Sequence, residues 1–219
     1  MNTPPPLRAG LGRASVTAFD PAHCLFGWGY RENRGLRVEK PLYARALVVE
    51  DPTTSRRVAY VCCDLGMISE SVRAHVLPRV AALRLSEHDV MLTATHTHSG
   101  PSGFSSYLFY AIAGPGFSQT IHDAIVDGIV AAITAATAAL QPARLYVSLG
   151  AVPLIEPVAF NRAVRSYNRN PDVTPVDRRD RDQAVDRTMT VLTVDALDGR
   201  PLGLVSWFGV HCTTVHRDH

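Results

Sequence analysis

His96 and His98 flank a threonine at the polar end of an apolar, strand-like run over residues 89–95. Residues two apart in a strand point to the same face, so both imidazoles could meet one metal ion or one substrate group. Ser99-Gly-Pro-Ser-Gly103 follows, a small-residue turn where a ligand can approach the backbone closely. His211 stands in the same way at the end of a second apolar run, residues 202–210. Two strands that each deliver a histidine at the polar end fit a zinc site, whose imidazole nitrogens lie about 2.0–2.1 Å from the ion. An H-x-H pair by itself also suits ordinary polar or packing roles. Catalytic zinc takes three protein ligands and keeps one position open, so His98, His216, Asp218 and His219 are further candidates. The last three lie in a polar tail and read equally well as solvated surface.

Arg162 follows Asn161 in a long polar connection, residues 153–186. An arginine there could hold a carbonyl or a developing oxyanion by charge-assisted hydrogen bonds, or simply face solvent. Cys212 is next to His211, but neighbours on a strand point to opposite faces, so a thiol–imidazole pair is not expected. Cys24, Cys62, Cys63 and Cys212 form no C-x-x-C motif and read as buried free thiols.

The elements that must position these residues alternate in type. Residues 43–50 and 57–63 are β-branched apolar runs around Asp51-Pro-Thr-Thr-Ser55, which predicts two strands joined by a turn. Val72, Val76, Val80 and Leu83 recur at helical spacing over 70–85, with Pro78 kinking that helix or marking its true start. Ile121, Ile125, Ile129 and Ile133 form an i, i+4 row over 117–140 with Asp123 and Asp127 off it, as in an amphipathic helix packed on a sheet. Residues 143–152 predict another strand. The connection over 153–186 is long enough to be functional or mobile. Residues 188–197 and 202–210 flank Asp198-Gly199, a hairpin signal. The expected class is an α/β (α+β) layered domain with a mixed sheet and packed helices.

A chain of 219 residues with 46% hydrophobic residues can bury a core. Its 22 basic and 20 acidic residues leave a net charge of +2, and the arginines between 162 and 187 are interleaved with Asp177, Asp180, Asp182 and Asp186. That is a mixed-sign solvated loop, and no nucleic-acid partner is expected. Residues 1–8, rich in proline, are expected to be a flexible tail without the apolar segment of a secretory signal; the chain as given reads as cytoplasmic, and its localisation stays open. The longest apolar stretch, residues 128–140, is shorter than the about 20 residues of a spanning helix, so no transmembrane segment is expected.

Six segments occur in order along nearly the whole chain: Pro41-Leu-Tyr-Ala-Arg-Ala-Leu47, Cys63-Asp-Leu-Gly-Met-Ile-Ser69, Thr95-His-Thr-His-Ser-Gly-Pro101, Asn161-Arg162, Asp186-Arg-Thr-Met189 and Gly203-Leu-Val-Ser-Trp-Phe-Gly-Val-His211. Together they resemble the neutral/alkaline ceramidase family. The resemblance implies that His96 and His211 ligate zinc and that His98 and Arg162 line the site around the scissile amide. The implied reaction is hydrolysis of the N-acyl amide of ceramide to sphingosine and a fatty acid. In it zinc would acidify water and polarise the carbonyl, while His98 and Arg162 stabilise charge on the tetrahedral intermediate.

The match departs from the family pattern in places. Ser15 stands where the family carries an aspartate, and Asn161-Arg-Ala-Val164 replaces N-R-S-P. Family members continue with a glutamate and a tyrosine that complete the zinc shell, a serine-containing segment and an immunoglobulin-like domain. Residues 1–219 are therefore expected to be the N-terminal part of a larger catalytic domain, with the C-terminal part of that domain as its partner. Family members are often secreted or membrane-associated. Two other readings remain: an inactive truncated fragment with weak metal binding, and an amidohydrolase acting on another N-acyl lipid.

Overall fold

The computed structural model describes residues 5–111, 114–156, 158–211 and 215. They fall into two compact units, one within Met1–Arg144 and Ala196–Arg200, the other within Leu145–Asp195 and Pro201–His211. The chain runs β1 (Arg8–Ser15), β2 (Tyr43–Asp51), β3 (Arg56–Cys63), α1 (Glu70–Val80), β4 (Val90–Ala94), α2 (Leu108–Ala111), α3 (Gln119–Ala138), β5 (Gln141–Ala151), α4 (Val164–Tyr167), β6 (Thr188–Ala196) and β7 (Pro201–Phe208).

In the first unit the strand order is β4-β3-β2-β1, and the first residues of β5 pair with β1 at Arg8↔Pro142 and Ala9↔Gln141. The hairpin expected over residues 43–63 forms, with β2 and β3 antiparallel from Ala44↔Cys63 to Asp51↔Arg56. β3 and β4 run parallel from Ala59↔Val90 to Cys63↔Ala94, with α1 as the crossover between them. The sheet is therefore mixed and covered by helices, the expected α/β class.

α3 supplies the core. Ile121, Ile125, Ile129 and Ile133 are all buried, as their spacing predicts, each worth about 1.5–3 kcal/mol relative to an exposed side chain. The helix rests on the backbone of β1, because a Cβ on Gly10 would overlap the carbonyl oxygen of Ala136 and one on Gly12 that of Ala132. Close approach requires glycine at both positions. Those glycines also erase the β-branched signature by which a strand is recognised, so sequence reasoning assigned no strand before residue 43. α3 is 20 residues long and apolar enough to cross a membrane by length and composition alone. Its buried isoleucine row accounts for that composition as a core helix.

α1 begins at Ser69, whose hydroxyl accepts the N–H of Val72. The helix expected over 70–85 ends at Val80 and passes into a 3-10 turn, Ala81–Leu83, closed by Arg84 at φ 61°. Pro78 sits in the last turn of α1 and does not mark its start. Glu50 of β2 is buried and accepts hydrogen bonds from Arg8 (2.9 Å), Arg57 (2.6 Å) and Arg84 (2.6 Å). Burial alone would raise its pKa, but the hydrogen bonds and charges of Arg57 and Arg8 outweigh it and hold the carboxyl below its ordinary value. Cys24, Cys62 and Cys63 are free, and burial pushes the thiols of Cys62 and Cys63 up, consistent with inert packing. Cys212 lies outside the described residues.

In the second unit the order is β5-β6-β7. β6 and β7 are antiparallel with a bulge at Val194/Asp195, and Gly199, at φ 88°, makes the expected turn. Side chains tie down the polar connection before β6. Arg187 is buried and its Nη1 donates to the carbonyls of Pro153 (2.6 Å) and Glu156 (3.0 Å). Asn161 donates through Nδ2 to Ala184 O (2.9 Å) and accepts from the N–H of Ala163 (2.7 Å).

Candidate metal and catalytic site beyond β4

Past Ala94 the chain leaves regular strand geometry, yet the N–H groups of Thr95 and Thr97 still donate to Cys63 O (2.9 Å) and Leu65 O (3.2 Å). Between those two bonds His96 turns through φ 57°, a left-handed conformation uncommon for a residue with a side chain. The expectation that His96 and His98 share a face through strand pleat is thus corrected. They meet because the backbone between them is bent, a conformation worth about 1–3 kcal/mol of strain. Strain of that size on a histidine points to a purpose for its ring.

The two rings cross at 86° with centroids 5.0 Å apart, and Nε2 of His98 lies 3.4 Å from Nε2 of His96. Nδ1 of His96 lies 2.6 Å from the carbonyl oxygen of Gly66. A carbonyl can only accept, so Nδ1 carries the proton and Nε2 is the lone-pair nitrogen of the neutral ring. A backbone carbonyl that accepts from the other ring nitrogen orients metal-ligating histidines in this way. Nε2 of His98 faces that lone pair. The 3.4 Å separation is close to the about 3.3 Å between two nitrogens bound to one tetrahedral zinc ion. His96 is exposed and His98 half-buried.

Three residues that sequence reasoning passed over build the wall of this pair. Phe26 is buried with its ring centroid 6.4 Å from each histidine ring, and it stacks on Phe104 and Tyr110 at 6.0 and 6.3 Å. It fits there because Gly66 has no Cβ. Gly27 lies against the His98 ring, and Nε1–H of Trp28 donates to the His98 carbonyl (3.1 Å). The available signal was two glycines around an aromatic residue, Phe26-Gly-Trp-Gly29, inside the long non-periodic segment between β1 and β2.

The other expected site residues belong to the second unit. Arg162 is exposed between Asn161, whose side chain fixes the local turn, and α4. The N-R turn therefore forms although the following residues depart from the family pattern. His211 is exposed, three residues beyond the end of β7, where the N–H of Val210 donates to Phe208 O (2.9 Å). His216, Asp218 and His219 lie outside the described residues.

Comparison with known proteins agrees with the motif pattern. The family model described as neutral/alkaline non-lysosomal ceramidase, N-terminal, matches residues 7–219. The neutral ceramidase of Pseudomonas aeruginosa is 38% identical over 213 residues, covering 96% of this chain and 31% of that protein. Neutral ceramidase B of Dictyostelium discoideum is 34% identical over 211 residues, covering 94% of this chain and 28% of that protein. The crystal structure of the Pseudomonas aeruginosa neutral ceramidase superposes with a TM-score of 0.90 at 37% identity, covering 100% of this chain and 34% of that one. The chain thus spans about a third of the length of the relatives it matches.

Proposed function

The chain belongs to the neutral/alkaline non-lysosomal ceramidase family, and from that premise we propose that it carries part of a zinc-dependent amidohydrolase that cleaves the N-acyl amide of ceramide to sphingosine and a fatty acid. The observation that carries the reading is the strained His96 turn, which presents a lone-pair Nε2 fixed by the Gly66 carbonyl. An imidazole nitrogen oriented in this way suits zinc, and by the family resemblance the ligands that this chain would supply are His96 and His211. A zinc ion bound there supplies Lewis-acid polarisation of a carbonyl and acidifies water.

The remaining work falls to side chains of this chain. His98 brings its Nε2 to the same point in space, and with the proton on that nitrogen it donates to a substrate oxygen as negative charge develops there. The family resemblance assigns Arg162 to the same task, for which a guanidinium offers a planar fork of donors. Gly100, buried behind Ser99, keeps the turn after His98 compact. The substrate is ceramide, and an amidohydrolase for another N-acyl lipid would use the same four side chains.

A second division of labour is favoured by one distance. The 3.4 Å between the two Nε2 atoms suits two zinc ligands as well as a ligand and its hydrogen-bonding neighbour. Zinc analysis and amide-hydrolysis assays on the full natural chain separate the two. His96→Ala loses zinc and turnover together. His98→Ala keeps zinc and loses kcat by about 100-fold or more. Equal zinc loss in both variants would make His98 a ligand, and ceramide hydrolysis that survives His96→Ala would overturn the reading.

A further inference from the structure

We propose that Gly27 and Trp28 are positioning residues for His98, holding its imidazole at the reacting centre independently of the support that Gly66 gives to His96. The inference rests on the reading of His98 as a substrate-facing proton donor. It starts from a backbone pairing that joins two loops far apart in sequence. The N–H of Phe26 donates to Gly100 O (3.0 Å), the N–H of Ser102 donates to Cys24 O (3.1 Å), and Leu25 bridges Pro101. This short antiparallel clasp carries residues 27 and 28 over the turn that contains His98.

Two restraints result, one on the ring and one on the backbone. Gly27 sits at φ 85°, and a Cβ there would lie 2.6 Å from Cε1, 2.7 Å from Nδ1 and 3.2 Å from Nε2 of His98. The imidazole is packed broadside against the space where a side chain would be, so it occupies the volume that only glycine leaves open. Trp28 then fixes the other end of the residue. Its Nε1–H donates to the His98 carbonyl at 3.1 Å, and its ring meets the imidazole edge to face at 5.2 Å and 72°. Neither residue bonds to Nδ1 of His96, which the carbonyl of Gly66 holds.

The separation matters because the two histidines have different tasks. A ligand is steered partly by its ion, whereas a proton donor must be aimed by protein alone, and a 1 Å error costs about 100-fold in rate. Gly27→Ala forces the imidazole away and places alanine at a left-handed φ. Trp28→Phe keeps an aromatic ring and deletes the donor to the His98 carbonyl.

The test uses the full natural chain, loaded with zinc, as Gly27→Ala, Trp28→Phe and the control Gly150→Ala, whose Cβ would meet nothing within 4 Å. Three quantities are read: kcat and KM for ceramide, bound zinc, and the rate at which diethyl pyrocarbonate modifies His98, followed by peptide mass spectrometry. The expected result is a kcat lower by about 100-fold in Gly27→Ala and by up to about tenfold in Trp28→Phe. KM and zinc stay unchanged, and His98 is modified several-fold faster in both. Unchanged His98 modification in both variants overturns the proposal, as does loss of zinc in step with turnover. If Gly27→Ala does not fold, Trp28→Phe decides alone. Should the protein fail to turn over ceramide at all, the modification rate of His98 still tests the positioning, so the two failures are told apart.

Discussion

Adding one methyl group at Gly66 tests whether the wall of the histidine pair is as tight as its geometry implies. A Cβ there would overlap Cδ1, Cε1 and Cγ of Phe26. That ring has little room to retreat, since it is 8% exposed, stacked on Phe104 and Tyr110, and set edge-on against both His96 and His98. Overpacking of this kind costs about 1–3 kcal/mol. The strain falls on the residue whose carbonyl orients His96, and loss of such an orienting bond lowers metal affinity by about 10–100-fold. Gly66→Ala in the natural protein should therefore show a lower urea midpoint and a weaker hold on zinc in competition with a chelator. Combining it with Phe26→Leu should relieve the clash, leaving the double variant more stable than the sum of the singles by about 1 kcal/mol. Additive stabilities, or a Gly66→Ala protein that binds zinc like the parent, would refute the reasoning.

Other consequences can be measured separately. Glu50→Gln should cost about 3 kcal/mol at pH 7, because it leaves Arg57, half-buried, without its carboxylate. The Glu50 pKa is held below its ordinary 4.5, so its contribution is complete above that value and is lost as pH falls through the folded value. Urea midpoints should accordingly converge between parent and variant at low pH. Ile129→Ala, at a fully buried position on α3, should cost about 2–5 kcal/mol in urea unfolding. Arg187→Met should remove the charged donor from the carbonyls of Pro153 and Glu156, which keep only the N–H groups of Glu156 and Val158, and cost about 1–3 kcal/mol. Faster proteolysis within residues 153–186 would register the loosened connection.

Periodicity made much of the frame legible. The isoleucine row of α3, the alternating runs of β2 and β3 and the Asp198-Gly199 turn each announce their element within a few residues. β1 was hidden because the glycines that admit α3 are the residues a strand normally avoids. The 153–186 connection reads as a long functional or mobile loop, since much of its order comes from single side chains such as Arg187, Asn161 and Asn168 that bond to carbonyls outside any local pattern. The same contrast runs through the site. His96 and His98 stand out by type and spacing, but the left-handed backbone at His96 has no sequence signature. Trp28 reaches a carbonyl 70 residues away, a contact set by the clasp of two loops and by no local pattern.

The most direct test of zinc-dependent ceramide hydrolysis is the release of fatty acid from a fluorescent ceramide by the natural protein, before and after removal of metal with a chelator. The account predicts that turnover disappears on stripping, returns on adding zinc, and does not return in His96→Ala. Undiminished hydrolysis by the stripped protein, or zinc-restored hydrolysis by His96→Ala, would contradict it.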